Sequence, residues 1–145
     1  MEMVLPATSG TYILLLYLCK GTFITVGRLG QFTFKRGWYT YVGAAFGPGG
    51  LAARLSRHLK QKKKCHWHID YLRAEAVPKQ IWYSKAAKSM EHIWAANILK
   101  AGGIPVTGFG CSDCRCPSHL FFFPRRPNYI LPELKINEQV VQIKV

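Results

Sequence analysis

From Thr11 to Leu18 the chain is almost continuously apolar, rich in β-branched and aromatic residues. The run is too short for a buried helix of ordinary length, which predicts a central strand. After a turn at Lys20 and Gly21, alternation over Thr22 to Val26 and Gln31 to Phe34 predicts two short strands broken at Gly27 and Gly30. Trp38 to Val42 predicts a further strand closing an antiparallel meander. Gly47-Pro48-Gly49-Gly50 cannot lie inside a helix or a strand and predicts a loop. Beyond it Leu51, Leu55 and Leu59 recur at helical spacing, and Arg54 and His58 share that spacing on the adjoining face. One stripe is core; the next is free for chemistry.

The basic stretch Lys60, Lys62, Lys63 and Lys64 leads to Cys65-His66-Trp67-His68 and a short helix through Arg73, which Pro78 stops. Gln80 to Tyr83 predicts one more strand. Ser89 is the expected N-cap of a helix to about Lys100, ended by Gly102 and Gly103. A Gly- and Cys-rich loop, a strand-like Leu120 to Phe123 and a Pro-containing tail follow. Strands, helices, strand, helix make an α+β chain built on a small antiparallel β-sheet flanked by helices. The expected organisation is an N-terminal segment 1–8, one domain over 9–123 and a loosely packed tail over 124–145.

Charge narrows the class of partner. Twenty Lys and Arg against seven Asp and Glu give a formal charge of +13, a surface field that draws polyanions, nucleic acid foremost. The same charge could merely aid solubility or meet an anionic membrane. The longest apolar run, Tyr12 to Cys19, falls far short of the roughly 20 residues that cross a bilayer, so neither a membrane span nor a signal peptide is expected. Five cysteines are an odd count, which a thiol-reducing compartment explains better than a disulfide framework. A cytoplasmic location, nucleoid association included, is the expectation.

Two short peptides sit at corresponding places on the first and last strands of the meander: Gly10-Thr11-Tyr12 and Tyr41-Val42-Gly43. Both resemble the name-giving motifs of the GIY-YIG nuclease superfamily. Arg54-Leu55-Ser56-Arg57-His58 is similar to that family's Arg-x-x-x-His helix, in the right order. Gly47-Pro48-Gly49-Gly50-Leu51, His66-Trp67-His68-Ile69-Asp70, Gly108-Phe109-Gly110, Ser112-Asp113-Cys114 and Ser118-His119-Leu120-Phe121 resemble its DUF123 branch. The resemblance runs from about Ser9 to Phe123. It implies a compact GIY-YIG-like α+β fold and a metal-dependent endonuclease acting on nucleic acid, DNA more than RNA. A partner protein or further domain would supply targeting.

Phosphodiester hydrolysis needs an activated water, countercharge for the phosphate and help for the leaving oxygen. Of the seven acids, Glu2, Glu133 and Glu138 lie in terminal segments, and Asp70 and Glu75 flank a short surface-like helix. Glu91 is the lone acid on an otherwise apolar helix, and the resemblance places the metal-binding glutamate there, with one Mg²⁺ or Mn²⁺. By default it is a first-turn acid set against the helix dipole. Arg54 offers a fork of donors that stays charged, suited to the scissile phosphate; without the motifs it reads as a solvated helix arginine. Tyr12 and Tyr41 would ordinarily be half-buried strand aromatics. The resemblance makes either one the base, which requires a neighbouring cation such as Arg54 to lower a phenol pKa near 10. His58, one turn after Arg54, is the candidate to accept the proton from that tyrosine or, when charged, to contact phosphate. Some relatives carry Lys just after the second motif, where this chain has Ala44 and Ala45.

Gly10 and Gly43, lacking Cβ, would let backbone approach the site. Arg57, Lys60, Lys62, Lys63 and Lys64 are the expected nucleic-acid contacts. Cys111-x-x-Cys114-x-Cys116-x-x-His119 offers soft donors, but its spacing is irregular for a structural zinc. His68 and His119 are read instead as hydrogen-bonding residues of core or cleft. A second function class is a non-catalytic nucleic-acid-binding module that keeps the nuclease fold; a third is a zinc-stabilised interaction domain.

Overall fold

The structure is a computed structural model that describes residues 4–60, 64–65, 67–109, 118–127 and 140–144. Expected Lys62, Lys63, His66 and the three cysteines of the 111–116 cluster lie outside the described residues. The architecture is α+β, as the hydrophobic pattern predicts. Eight strands and three helices follow in the order β1 (Gly10–Leu18), β2 (Thr22–Val26), β3 (Gly30–Phe34), β4 (Gly37–Ala45), α1 (Gly50–Leu59), α2 (His68–Arg73), β5 (Val77–Ser84), α3 (Glu91–Lys100), β6 (Ile104–Pro105), β7 (Leu120–Phe123) and β8 (Val140–Lys144) among the described residues.

The expected meander is replaced by a different pairing. β2 and β3 form a separate two-stranded hairpin, and β4 returns to lie directly against β1 in a six-stranded sheet of order β6-β7-β4-β1-β5-β8. Its pairs are antiparallel. β1 is apolar on both faces because it is central and covered on both sides. Tyr12, Leu14 and Leu16 pack with Leu51 and Leu55 of α1 and Ile69 and Leu72 of α2. Ile13 and Leu15 point the other way, into a second core with Trp94, Ala95 and Ile98 of α3. Alternation by two along one strand thus serves two half-cores.

The chain after Phe123, expected as a loose tail, rejoins the sheet at 140–144, where Gln80 pairs with Lys144 and Ser84 with Val140. The N-terminal segment is also tied down. Leu51 and Ala52 donate their backbone N–H to the Thr8 and Pro6 carbonyls at 2.9 and 2.7 Å, covering donors that the first turn of α1 cannot satisfy internally. At the other end of α1 the buried Arg73 guanidinium donates to the carbonyls of His58 (2.8 Å), Leu59 (2.8 Å) and Ala76 (3.0 Å). It acts as a C-cap from a distant element, and burial lowers its pKa. No helix among the described residues is long and apolar enough to cross a membrane.

Candidate active site

The register of β1 against β4 builds the site. Tyr12 lies opposite Gly43, and Tyr41 opposite Leu14, so the two phenols are diagonal neighbours on one face, with ring centroids 6.5 Å apart. The Tyr12 ring lies across Gly43, where a Cβ would strike its hydroxyl. Gly43 therefore admits an aromatic of the chain itself. Gly10 likewise packs against the Ser84 carbonyl and Leu51. At both glycines what comes close is the protein's own packing.

α1 crosses this face and presents His58 and Arg54 one turn apart. The Tyr12 hydroxyl and His58 Nε2 are 2.6 Å apart in a buried bond. Tyr12 is fully buried and His58 nearly so. Arg54 lies near enough to the Tyr12 hydroxyl to draw its pKa down. Which partner donates in the Tyr12–His58 bond follows from the His58 tautomer. The His58 ring is edge-on to Tyr41 at 6.0 Å. Two phenols and an imidazole thus cluster on this face of the sheet beneath α1, which also carries Arg54.

Electrostatics reverse one expectation. Burial is the largest effect on the Tyr12 pKa and raises it, and Tyr41 and Glu91 add to it; Arg54 pulls the other way. The net result holds the Tyr12 phenol well above the ordinary tyrosine value. Removing a phenol from water costs more for its anion than one shared cation returns.

Arg54 stacks on the Trp67 ring at 4.3 Å. Its guanidinium has no carboxylate ion-pair partner among the described residues. It borders a hollow of about 230 Å³ lined by Ala45, Pro48, Ala53, Arg57 and Trp67. Arg57, expected to meet nucleic acid, is engaged within the protein: it bonds Asp70 Oδ2 at 2.7 Å and the Lys64 carbonyl at 3.1 Å, and it too lies over Trp67, at 4.6 Å. Asp70, expected on a surface-like helix, is buried and also accepts the Trp67 backbone N–H at 2.9 Å. Lys60 and Lys64 are exposed.

Glu91 opens α3, on the opposite face of the sheet, yet close enough to Tyr12 to raise its pKa. The hydroxyl of Thr11, the middle residue of the first motif, accepts the Met90 backbone N–H at 2.9 Å and fixes the start of α3 on β1. Ser89, expected as N-cap, lies one residue earlier; Met90 is the N-cap, and Ser89 Oγ accepts the Glu91 N–H at 3.3 Å. His119, expected in core or cleft, sits just before β7, with Nδ1 3.3 Å from Glu91 Oε1. Burial, helped by His92, lowers the His119 pKa and favours its neutral form. Glu91, His92 and His119 each bring one metal-binding atom within 4.8 Å of the others. This Glu/His/His group can hold a metal ion.

Comparison with known proteins adds one match. The family model described as "Domain of unknown function DUF123" matches residues 11–140. No curated protein matches the chain, and no solved structure does.

Proposed function

Because the chain belongs to the DUF123 family, whose description assigns no activity, we propose from its site that it is a divalent-metal-dependent endonuclease of GIY-YIG type, hydrolysing phosphodiesters of nucleic acid, DNA in the first place. The observation that carries this reading is Arg54. A partly buried guanidinium with no carboxylate partner among the described residues, facing an open hollow beside two phenols and an imidazole, is a seat for a tetrahedral anion. The resemblance of the two tyrosine motifs to the nuclease superfamily supports the same reading.

The residues divide the work. Arg54 binds the scissile phosphate through its donor fork and counters the charge that grows there. Tyr12 takes a proton from the attacking water while passing its own to His58 Nε2, 2.6 Å away. The relay avoids a free buried phenolate, which the raised pKa of Tyr12 would make costly. Tyr41, less buried than Tyr12, orients the nucleophile. Glu91 fits a metal: its charge is felt at Tyr12, and it sits at a helix start with imidazole donors beside it. When bound there, Mg²⁺ or Mn²⁺ supplies positive charge to the phosphate and to the leaving oxygen. Lys60 and Lys64, with Lys62 and Lys63 between them in sequence, extend a basic track for the flanking backbone.

The test is a cleavage assay on supercoiled plasmid, duplex oligonucleotide and branched DNA, with divalent metal and with chelator. Metal-dependent cutting that is lost in Glu91→Gln, while binding in chelator persists, is expected. Binding without cleavage under every metal would replace the nuclease by a binding module that keeps the fold.

A further inference from the structure

Glu91 does not stand alone at its end of the sheet. His92 follows it in the first turn of α3, and His119 Nδ1 approaches Glu91 Oε1 to 3.3 Å. One donor atom from each of the three lies within 4.8 Å of the other two. Backbone hydrogen bonds, rather than chance side-chain positions, bring them together. Val42 N–H donates to the His119 carbonyl and His119 N–H to the Phe109 carbonyl, both at 2.9 Å. Met90 N–H donates to Thr11 Oγ1 at 2.9 Å. His119 is buried at the edge of β7, whereas His92 is exposed on the helix.

The donor set discriminates among metals. Mg²⁺ demands near-ideal octahedral oxygen coordination and sheds water reluctantly. Imidazole nitrogen suits the first-row transition metals instead. Two imidazoles and a carboxylate also leave coordination positions open, as catalytic sites do and closed four-ligand structural sites do not. We propose that Glu91, His119 and His92 form a two-histidine, one-carboxylate site that takes a divalent transition-metal ion, in the class from Mn²⁺ to Zn²⁺, in preference to Mg²⁺. The proposal rests on the reading of Glu91 as the metal carboxylate and adds the nitrogen donors that choose the ion. His119 is the fixed ligand. His92 closes the site from the solvent side.

Mn²⁺ is the probe, because thiolates favour softer ions and the cysteines will not compete for it. Titration of the protein with Mn²⁺, followed by electron paramagnetic resonance, should show one bound ion that survives a large molar excess of Mg²⁺. His119→Asn should weaken Mn²⁺ by at least about tenfold and let Mg²⁺ compete. His92→Ala, at an exposed position, should weaken it in the same direction. Circular dichroism checks that each variant is folded. Equal displacement of Mn²⁺ by Mg²⁺ in the wild type, or unchanged Mn²⁺ affinity in both histidine variants, overturns the proposal. Failure of the nuclease reading looks different: Mn²⁺ would bind as described while no nucleic acid is cut.

Discussion

At the scale of single residues, Tyr12 decides how the chemistry runs. Its phenol is buried, paired with His58 at 2.6 Å and held protonated beyond the ordinary tyrosine range. A group whose pKa is raised stays protonated as pH rises through its usual value, so Tyr12 contributes no phenolate at mildly alkaline pH. The cleavage rate should therefore show no rise attributable to Tyr12 between about pH 8 and pH 10. Tyr12→Phe should fold and lose most of the rate throughout that range. An alkaline rise present in the wild type and absent in Tyr12→Phe would contradict the relay. Gly43 is the other sensitive position, because the Tyr12 ring occupies the space of its missing Cβ. Gly43→Ala should cost about 1–3 kcal/mol by overpacking, read from denaturant unfolding; a cost below a few tenths would mean the phenol moves aside freely. Much of this site was legible in the sequence. Tyr12, Tyr41, Arg54 and His58 come together as the paired motifs implied. The place of His119 beside Glu91 was not legible, because nothing local marks it: the two are 28 residues apart in sequence and meet only through the sheet. Asp70 looked like a surface acid because its partner Arg57 is 13 residues away, beyond any helical periodicity.

At the scale of elements, periodicity found what local sequence dictates and missed what pairing dictates. Leu51 and Leu55 fixed the core stripe of α1, and the alternation of β2 and β3 was plain. Their partners were not. The chain leaves β1, folds a hairpin apart from the main sheet and returns, and only side-chain packing against two half-cores chooses β4 as the neighbour of β1. α3 shows the same limit. Its boundary residue Ser89 was visible, but the hydroxyl that holds its start belongs to Thr11, 79 residues earlier. Thr11→Val keeps the shape and removes that acceptor. It should cost about 1 kcal/mol, as removal of a helix cap does, and should also weaken metal binding at Glu91. Ser89→Ala, which removes only a longer bond of 3.3 Å, should cost less. The reverse order, measured by thermal unfolding, would place the true cap at Ser89.

At the scale of the whole molecule, the proposed function joins the charge of +13 to Arg54: a field would gather a polyanion and the Arg54 cleft would do chemistry on it. Lys60 and Lys64 are exposed beside that cleft, while Arg57 is held by Asp70. Affinity should fall linearly with salt on a log-log plot. Replacing Lys60 and Lys64 by Gln should flatten the slope by up to about one unit for each phosphate no longer neutralised, and an unchanged slope would set both lysines on a solvated face. The C-terminal strand was hidden in the sequence, because prolines and scattered charges over 124–138 mask the short apolar stretch that pairs with β5. The proposed chemistry turns on Arg54 countering charge on a scissile phosphate. Single-turnover cleavage by wild type, Arg54→Lys and Arg54→Ala, with binding measured separately in chelator, tests this most directly. Both variants should bind within a few-fold of wild type and cut slower by on the order of 10³-fold, the lysine failing because it keeps the charge and loses the planar fork. Cleavage by Arg54→Ala at the wild-type rate would contradict that role.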